Sequence, residues 1–176
     1  QLTSRGATVS AVERSVKRLK RLEENLSRLN MTAETFCSDA AQWVPHEKAD
    51  AVLLDAPCSS TGTIRRHPDI QHLKTSEDVK KLATAQYRLL EAALKMVKPG
   101  GKVIFCTCSL QPEEGPELIE KVLREHSSVR LEAVRSEEIG GLDELILGEG
   151  TIRCLPYHLM EQGGMDGFFI ARLISD

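Results

Sequence analysis

The chain has 176 residues, of which 41% are hydrophobic and 28% charged, and its 23 Lys and Arg against 26 Asp and Glu give a net charge of -3. This composition predicts one globular domain with a sizeable core, and it excludes a disordered tail, a fibre and a uniformly basic nucleic-acid coat. No segment approaches the ~20 apolar residues of a membrane span and no signal-peptide core is present, so the cysteines are expected to be reduced thiols in the cytoplasm.

Short β-rich runs alternate along the chain with longer helical ones, which predicts a parallel sheet with crossover helices. The first strand is predicted over residues 8–13 and ends at Glu13. Ser15 is placed to cap the helix that follows. A second short strand is predicted over 34–37, with Asp39 just beyond it. The apolar residues of the helix recur three and four positions apart and predict a buried stripe: Val16, Leu19, Leu22, Leu26 and Leu29.

The third predicted strand is the apolar run 51–54, which is bounded by Asp50 and Asp55. Its uninterrupted apolar character predicts a strand that is buried on both faces. The residues that follow it, 56–63, are small residues and turn formers, and they predict a loop.

A long helix is predicted next, since Thr75 and Asp78 resemble a capping box and the Lys-Pro-Gly-Gly run at 98–101 would end it. A buried strand over 102–106 and a helix over 113–125 are predicted to follow. Three weaker strands complete the pattern, near 129–134, 151–155 and 167–173. This order of elements predicts a Rossmann-like α/β fold.

Distinctive polar residues end four of these strands: Glu13, Asp39, Asp55 and Cys108. In open α/β sheets, ligands bind beyond the carboxyl ends of the strands. Glu13 is placed to accept hydrogen bonds from ribose hydroxyls, but an acid that the dipole of the next helix favours is an equally good interpretation. Asp39 leaves the same choice open, between a ligand-binding residue and a turn or N-cap residue.

Two of the five cysteines, Cys58 and Cys108, lie in loops after two separate buried strands. A thiol at such an edge can approach a ligand, and helix N-termini nearby can lower its pKa. Cys37 and Cys154 have no motif around them and are interpreted as small buried hydrophobes, with Cys106 as part of its core strand. A metal site is not predicted, because one residue separates Cys106 from Cys108, whereas structural zinc sites use Cys-x₂₋₄-Cys pairs.

Three motifs stand out: Asp-Ala-Pro-Cys-Ser-Ser-Thr-Gly at 55–62 with Arg-Arg-His-Pro-Asp at 65–69, Phe-Cys-Thr-Cys-Ser at 105–109, and Asp-Gly-Phe-Phe at 166–169 with Arg172-Leu173. The first looks like the fourth motif of the Sun (Fmu) family of RNA cytosine-5 methyltransferases. The second resembles that family's Tyr/Phe-Ser-Thr-Cys-Ser motif, and the third resembles its closing signature. The match spans essentially the whole chain, and the two cysteine motifs together are highly specific.

The resemblance implies a Rossmann-like S-adenosylmethionine-dependent methyltransferase fold, with a mostly parallel sheet, an antiparallel last strand and a first strand that is missing here. It implies that residues 1–176 are one methyltransferase catalytic domain, truncated at its N-terminus. S-adenosylmethionine would be the methyl donor and RNA, with ribosomal RNA preferred, would be the substrate. It implies neither a metal ion nor a membrane partner.

The resemblance also assigns roles to residues. For the methyl donor, it implies that Glu13 binds the ribose hydroxyls and that Asp39 contacts the adenine. Asp55 would lie near both the methionine end of the donor and the target cytosine. For catalysis, it implies that Cys108 is the nucleophile and that Cys58 assists release of the product.

The chemistry explains why two thiols and a carboxyl are needed. Cytosine C5 is a poor nucleophile, and a thiolate that adds to C6 makes C5 able to attack a methyl sulfonium, which is covalent catalysis. A carboxyl at N3 and N4 can stabilise the charge that develops on the ring. A base must then remove the C5 proton so that the thiol can leave. DNA cytosine-5 methylases use the Pro-Cys thiol as nucleophile and lack the Thr-Cys-Ser one, so the presence of both cysteines indicates RNA.

A local basic patch, formed by Arg65, Arg66 and His67, lies beside the Cys58 loop. It is suited to the phosphates that flank a target base, which must leave its stack to react. Without the motif, a solvated charged loop would be the preferred interpretation.

The chain departs from the family's pattern at three positions. Ser60 stands where a Gly is usual and Cys106 where a Ser is usual, and both exchanges are expected to be neutral because the residues are small. Gly115 occupies a position where many relatives carry Asn within an acidic run. That departure weakens the expectation that this loop positions the nucleophile.

Two other functions stay open. One is a non-catalytic RNA-binding scaffold that has lost its donor site, against which the intact Cys58 and Cys108 argue. The other is a methylase of proteins or small molecules, which an Asn-Pro-Pro-Tyr-like motif would favour. The chain has Asp-Ala-Pro-Cys in that place.

The family's glycine-rich loop, with its Gly-Gly-Lys-Thr run, would lie immediately before Gln1. That loop cradles the methionine part of the donor, so we expect the 176-residue chain to be a fragment that binds S-adenosylmethionine weakly or not at all. Isothermal titration calorimetry on these residues alone measures this, and tight binding would contradict the prediction.

Overall fold

The predicted alternation of strands and helices is present in the computed structural model, which describes residues 1–176. The contacts divide the chain into two units, residues 1–46 and residues 47–176. None of its helices combines the length and the hydropathy that spanning a membrane requires.

The first unit is a β-α-β element. Strands β1 (Ser10–Glu13) and β2 (Glu34–Cys37) are parallel neighbours, and Glu13 lies opposite Cys37. Helix α1 (Val16–Arg28) connects them. Parallel strands need such a crossover, because a tight turn joins only antiparallel ones.

The predicted cap of α1 is confirmed, since the Ser15 hydroxyl accepts a hydrogen bond from the Arg18 N–H. Its predicted apolar stripe is only partly buried. Leu19 is buried, whereas Val16 and Leu29, at the two ends of the stripe, are exposed. The stripe is therefore covered only over the middle turns of the helix.

A six-stranded sheet forms the second unit. Strands β3 (Ala49–Asp55) and β4 (Val97–Thr107) are parallel, and β8 (Phe168–Ser175) runs antiparallel to β4. The antiparallel strands β7 (Thr151–Cys154) and β6 (Ile146–Leu147) extend the sheet beyond β8, and β5 (Val129–Leu131) also pairs with β8. The Rossmann-like α/β fold with an antiparallel last strand is confirmed.

The helices of this unit are α2 (Ile70–Leu73), α3 (Ser76–Met96) and α4 (Pro116–Glu125). The predicted capping box is present, because the Thr75 hydroxyl accepts from the Asp78 N–H while the Asp78 carboxylate accepts from the Thr75 N–H. The main core contains residues of α3, α4, β4 and β8: Leu90, Ala93, Val103, Phe105, Ile119, Val122, Phe169 and Leu173.

Strand β3 differs from its prediction. Val52 and Leu54 pack against the main core, but Ala51 is exposed and Leu53 is 58% exposed. The prediction that both faces are buried is therefore wrong, because the core covers one face of this edge strand and leaves the other open. An apolar run alone does not show how many of its faces are covered.

The helix predicted over 113–125 is two elements. A 3₁₀ turn over Pro112–Glu114 comes first, and α4 begins after Gly115. A Cβ atom on Gly115 would lie 3.1 Å from the Phe169 ring. Glycine thus lets this turn pack closely against β8.

Candidate active site

The two cysteines of the motifs meet where β3 and β4 end. These strands are parallel neighbours with Asp55 opposite Cys106, so the loops that follow them leave the same edge of the sheet. The Sγ atoms of Cys58 and Cys108 are 3.4 Å apart. Both are free thiols and both are half-buried.

Backbone hydrogen bonds fix this geometry. The Gly62 N–H donates to the carbonyl oxygen of Cys108 over 2.9 Å, and the Gly167 N–H donates to the carbonyl oxygen of Gly62 over 2.7 Å. A Cβ atom on Gly62 would collide with the carbonyl oxygens of Gly167 and Cys108. Only glycine permits such a close approach of three backbones.

The two thiols differ in how readily they ionise. The hydrogen bond with Cys58 holds the pKa of Cys108 below its ordinary value, although burial and the nearby charge of Asp55 oppose this. The same hydrogen bond and burial raise the pKa of Cys58. These opposite shifts favour a pair that shares one proton, held by Cys58, with the thiolate on Cys108. A thiolate is the reactive form of cysteine.

Ser60 is a second hydrogen-bond partner of Cys108. Its hydroxyl lies 3.6 Å from the Sγ of Cys108, and this contact also lowers the pKa of Cys108. The residue has φ 60°, in the left-handed region that favours glycine. Ser60 thus places a side chain at a strained backbone position and a hydroxyl beside the Cys108 sulfur, and its expected neutrality as an exchange for Gly stays a prediction.

Asp55 ends β3 at the same edge. Its side chain is exposed, and its charge is close enough to raise the pKa values of Cys106 and Cys108. Burial is the main cause for Cys106, whose pKa rises to about 12. The structure thus brings Asp55, Cys58 and Cys108 together, while Cys106 stays a buried thiol of the strand.

Two predictions for the remaining cysteines have different outcomes. Cys154 is buried in a small cluster with Val134, Leu145 and Ile152, as predicted. Cys37 is exposed, so its predicted burial is wrong. It is the last residue of β2, and its Sγ lies 3.8 Å from the carbonyl oxygen of Arg14.

Two of the predicted donor-binding residues lie in the first unit, Glu13 at the end of β1 and Asp39 just after the parallel strand β2. Glu13 accepts from the Ser15 N–H over 2.7 Å and pairs with Arg18 over 3.0 Å, and both contacts use the same carboxylate oxygen. Asp39 accepts from the Ala41 N–H over 3.0 Å. The helix-start and turn roles that the sequence left open are therefore both filled. Binding of ribose and adenine stays a prediction.

The predicted RNA-binding arginines are paired with a distant acid. Arg66 Nε donates to Asp166 over 2.7 Å, and Arg65 lies 3.5 Å from the same carboxylate. Arg66 holds the pKa of Asp166 below its usual range. Both arginines are exposed, and the single negative charge of Asp166 balances one of their two positive charges. The sequence did not reveal this partner, which lies 100 residues away from Arg66.

Sequence reasoning missed Glu114, which is completely buried behind the two cysteine loops. Its carboxylate accepts hydrogen bonds from the Ser59 N–H over 2.9 Å, from the Ser59 hydroxyl, and from the Ser109 hydroxyl over 2.5 Å. Gln86 Nε2 also donates to it, over 2.9 Å. Glu114 thus bonds to both cysteine loops, although the departure at the adjacent Gly115 had weakened the expectation of a role for this turn; that role stays a prediction. The acidic run was the available signal, but nothing in the sequence separates Glu114 from the exposed Glu113.

Residues 1–174 match the family model described as 16S rRNA methyltransferase RsmB/F. "Ribosomal RNA small subunit methyltransferase B" of Shewanella oneidensis is 38% identical over 172 residues, which cover 94% of this chain and 37% of the relative. The protein of that name from Pseudomonas syringae pv. tomato is 40% identical over 174 residues, with 95% and 37% covered. The chain thus spans somewhat more than a third of the length of these relatives.

Solved structures agree with these matches. The crystal structure of PH0851 is 31% identical with a TM-score of 0.84, and covers 96% of this chain and 37% of its own. The crystal structure of NSun6 from Pyrococcus horikoshii with SFG is 26% identical with a TM-score of 0.77. It covers 96% of this chain and 41% of its own.

The shared proton predicts unequal reactivity of the two thiols. We expect iodoacetamide at pH 7 to alkylate Cys108 faster than Cys58, because thiolates react and thiols do not. In Cys58→Ala the hydrogen-bond donor is lost and the pKa of Cys108 rises. Each unit by which the pKa of Cys108 exceeds the working pH reduces the fraction of thiolate about tenfold. Alkylation at pH 7 should fall and should recover as the pH is raised.

Peptide mass spectrometry of a time course measures these rates, with the exposed Cys37 as internal reference. Cys58→Ser retains an O–H donor and serves as the matched control, which should preserve fast alkylation of Cys108. Equal rates at the two cysteines, or a Cys108 rate that Cys58→Ala leaves unchanged, would contradict the interpretation.

Proposed function

Because the chain belongs to the 16S rRNA methyltransferase RsmB/F family, we propose that it carries the catalytic residues of an RNA cytosine-5 methyltransferase that uses S-adenosylmethionine. The observation that carries this proposal is the contact of 3.4 Å between Cys58 and Cys108. Two thiols of opposite protonation, side by side at the carboxyl edge of the sheet, fit a reaction that needs one nucleophile and one proton-transfer group.

Cys108 is the nucleophile in this proposal. Its thiolate adds to C6 of the target cytosine, which forms an S–C6 bond and makes C5 nucleophilic. Asp55, whose charge reaches the same sulfur, is placed to interact with N3 and N4 of the ring. The assignment of Cys108 rather than Cys58 is supported by the direction of the two pKa shifts.

Cys58 assists release once methyl transfer is complete. The interaction with the Cys108 thiolate is the main cause that raises the pKa of Cys58. After Cys108 has become a thioether, that cause is gone and Cys58 ionises more readily. Its thiolate can then take the C5 proton, so that the S–C6 bond breaks and the Cys108 thiolate leaves. The same contact thus keeps Cys58 protonated before the reaction and frees it afterwards.

S-adenosylmethionine, when bound, supplies a methyl group on a positively charged sulfur. Glu13 fits the ribose, because its two contacts in the first unit occupy only one carboxylate oxygen. Asp39, just after the neighbouring parallel strand, would contact the adenine, and Asp55 the methionine end. The NSun6 structure with SFG, an analogue of S-adenosylmethionine, supports this donor. We take both units as parts of one catalytic domain over residues 1–176.

The substrate is proposed to be ribosomal RNA of the small subunit, as the names of the relatives indicate. Arg65 and Arg66 lie in the loop region that follows Cys58, exposed to solvent. They would contact phosphates that flank the target base. Asp166 holds them in place and reduces their net charge, so this contact would position the RNA more than it would add affinity.

Adduct trapping tests the reaction. The chain is completed to the length of its relatives and incubated with small-subunit rRNA and S-adenosylmethionine. Cys58→Ala should accumulate a protein–RNA species that survives denaturing electrophoresis, because the adduct forms but is not released. Turnover should fall by about 10²–10⁴-fold, as is usual when a proton-transfer group is lost.

The adduct must disappear in the double variant Cys58→Ala with Cys108→Ala. Cys37→Ala in place of Cys108→Ala is the matched control and should leave the adduct. An adduct that survives loss of Cys108 would overturn its role as nucleophile. Donor and RNA binding without any adduct or methylation would favour the non-catalytic scaffold.

The phosphate contacts are tested by salt dependence. Replacing Arg65 and Arg66 with Ala should weaken rRNA binding, and should reduce the slope of log K against log salt by about 0.7 for each lost contact with a single strand. Asp166→Asn should strengthen binding, since it frees both positive charges. Lys80→Ala, on the exposed side of α3, is the matched control. Fluorescence anisotropy at several salt concentrations measures the slope. If Lys80→Ala changes the slope as much as the arginine substitutions do, the assignment is contradicted.

A further inference from the structure

One completely buried carboxylate has no part in the reaction described above. Glu114 lies in the 3₁₀ turn over Pro112–Glu114, and the preceding residue, Glu113, is exposed. A carboxylate is rarely buried unless hydrogen bonds replace its water. The partners of Glu114 therefore indicate what its burial achieves.

The partners of Glu114 follow the two cysteines. Ser59, directly after Cys58, donates its N–H and its hydroxyl to the carboxylate. Ser109, directly after Cys108, donates its hydroxyl. A single carboxylate thus holds both cysteine loops, one residue beyond each sulfur-bearing position.

Helix α3 completes the arrangement through Gln86, which is also completely buried. Its Nε2 donates to Glu114 over 2.9 Å and to the carbonyl oxygen of Pro57 over 2.8 Å. Cys58 is consequently held on both sides, by Gln86 through Pro57 and by Glu114 through Ser59. The backbone carbonyl of Glu114 accepts from the Thr107 hydroxyl over 3.2 Å, which fixes the other loop just before Cys108.

We propose that Glu114 is a positioning residue, which sets the contact between Cys58 and Cys108 and thereby decides which of the two sulfurs carries the thiolate. The proposal rests on the proposed function, in which this asymmetry selects the nucleophile. It extends the site to a residue that touches no substrate.

Electrostatics supports the same role. The negative charge of Glu114 is one of the causes that raise the pKa of Cys58. The other charged groups whose fields reach the two thiols are Asp55, the last residue of β3, and Arg66, in the loop beyond Cys58. The charge of Glu114 raises the pKa of Cys58, whereas the charge of Asp55 raises the pKa of Cys108 and so opposes its thiolate. Removal of the Glu114 charge should therefore reduce the difference between the pKa values of Cys58 and Cys108.

The test compares thiol reactivities in Glu114→Gln, a substitution that keeps the shape of the side chain and removes its charge. We expect the ratio of the Cys108 to the Cys58 alkylation rate at pH 7 to fall at least tenfold, a change of about one pKa unit. The pH at which Cys108 alkylation reaches half its maximum should rise. Glu113→Gln, one residue earlier and exposed, is the matched control and should leave the ratio and the profile unchanged.

A purely structural role makes a different prediction. In that case Glu114→Gln lowers the melting temperature but leaves the rate ratio and pH profile of the folded protein unchanged, and that result would overturn the proposal. Should Glu114→Gln fail to fold, Ser109→Ala removes a single donor and keeps the carboxylate. A folded Ser109→Ala protein should show a smaller fall of the ratio in the same direction, and an unchanged ratio would also overturn the proposal.

Alkylation requires neither RNA nor a methyl donor, so its outcome is separate from that of adduct trapping. If no adduct forms but Glu114→Gln changes the ratio, the proposed function fails and the positioning of the two thiols by Glu114 stands. If the adduct forms as proposed and the ratio is unchanged, the function stands and the role of Glu114 is overturned.

Discussion

The site depends on the parallel pairing of β3 with β4. Because Asp55 lies opposite Cys106 in this register, the chain leaves both strands at the same level and the loops that follow are brought side by side. A shift of one residue would turn the side chains of β3 to the other face of the sheet. The proximity of the two sulfurs is therefore a consequence of strand register before it is a property of either loop.

Buried hydrogen bonds convert this proximity into a fixed geometry. Gly62 joins the Cys108 carbonyl to β8 through backbone groups alone, and Glu114 joins the residues after both cysteines through its side chain. One set of bonds comes from Gly167, just before β8, and the other from the turn before α4. The sulfur contact is thus held by groups that do not themselves react.

Local patterns were the part of the structure that the sequence could predict. The caps of α1 and α3, at Ser15 and Thr75, depend on residues three positions away, and both are confirmed. The sequence also placed Cys58 and Cys108 in loops after two separate strands, and the parallel pairing of those strands brings the loops to one edge. The exposed face of β3, with Leu53, could not be predicted in this way, because an apolar run does not say what packs on it.

The contacts that the sequence did not predict join distant positions. Asp166 pairs with Arg66 across 100 residues, and Glu114 bonds to Ser59 across 55. Two adjacent glutamates differ completely in burial, since only the fold decides that Glu113 faces solvent and Glu114 faces the cysteine loops. The strain at Ser60 depends on a backbone angle that its residue type alone does not reveal.

The position of β8 has a consequence for how the domain is made. This strand comes last in the second unit, yet it lies between β4 and β7 and also pairs with β5. Gly167, just before it, supplies the backbone contact to Gly62. During synthesis on the ribosome, the cysteine loops are complete long before the strand that braces them has left the exit tunnel. The two thiols therefore acquire their final arrangement only after this late central strand has been made and closes contacts of high sequence separation.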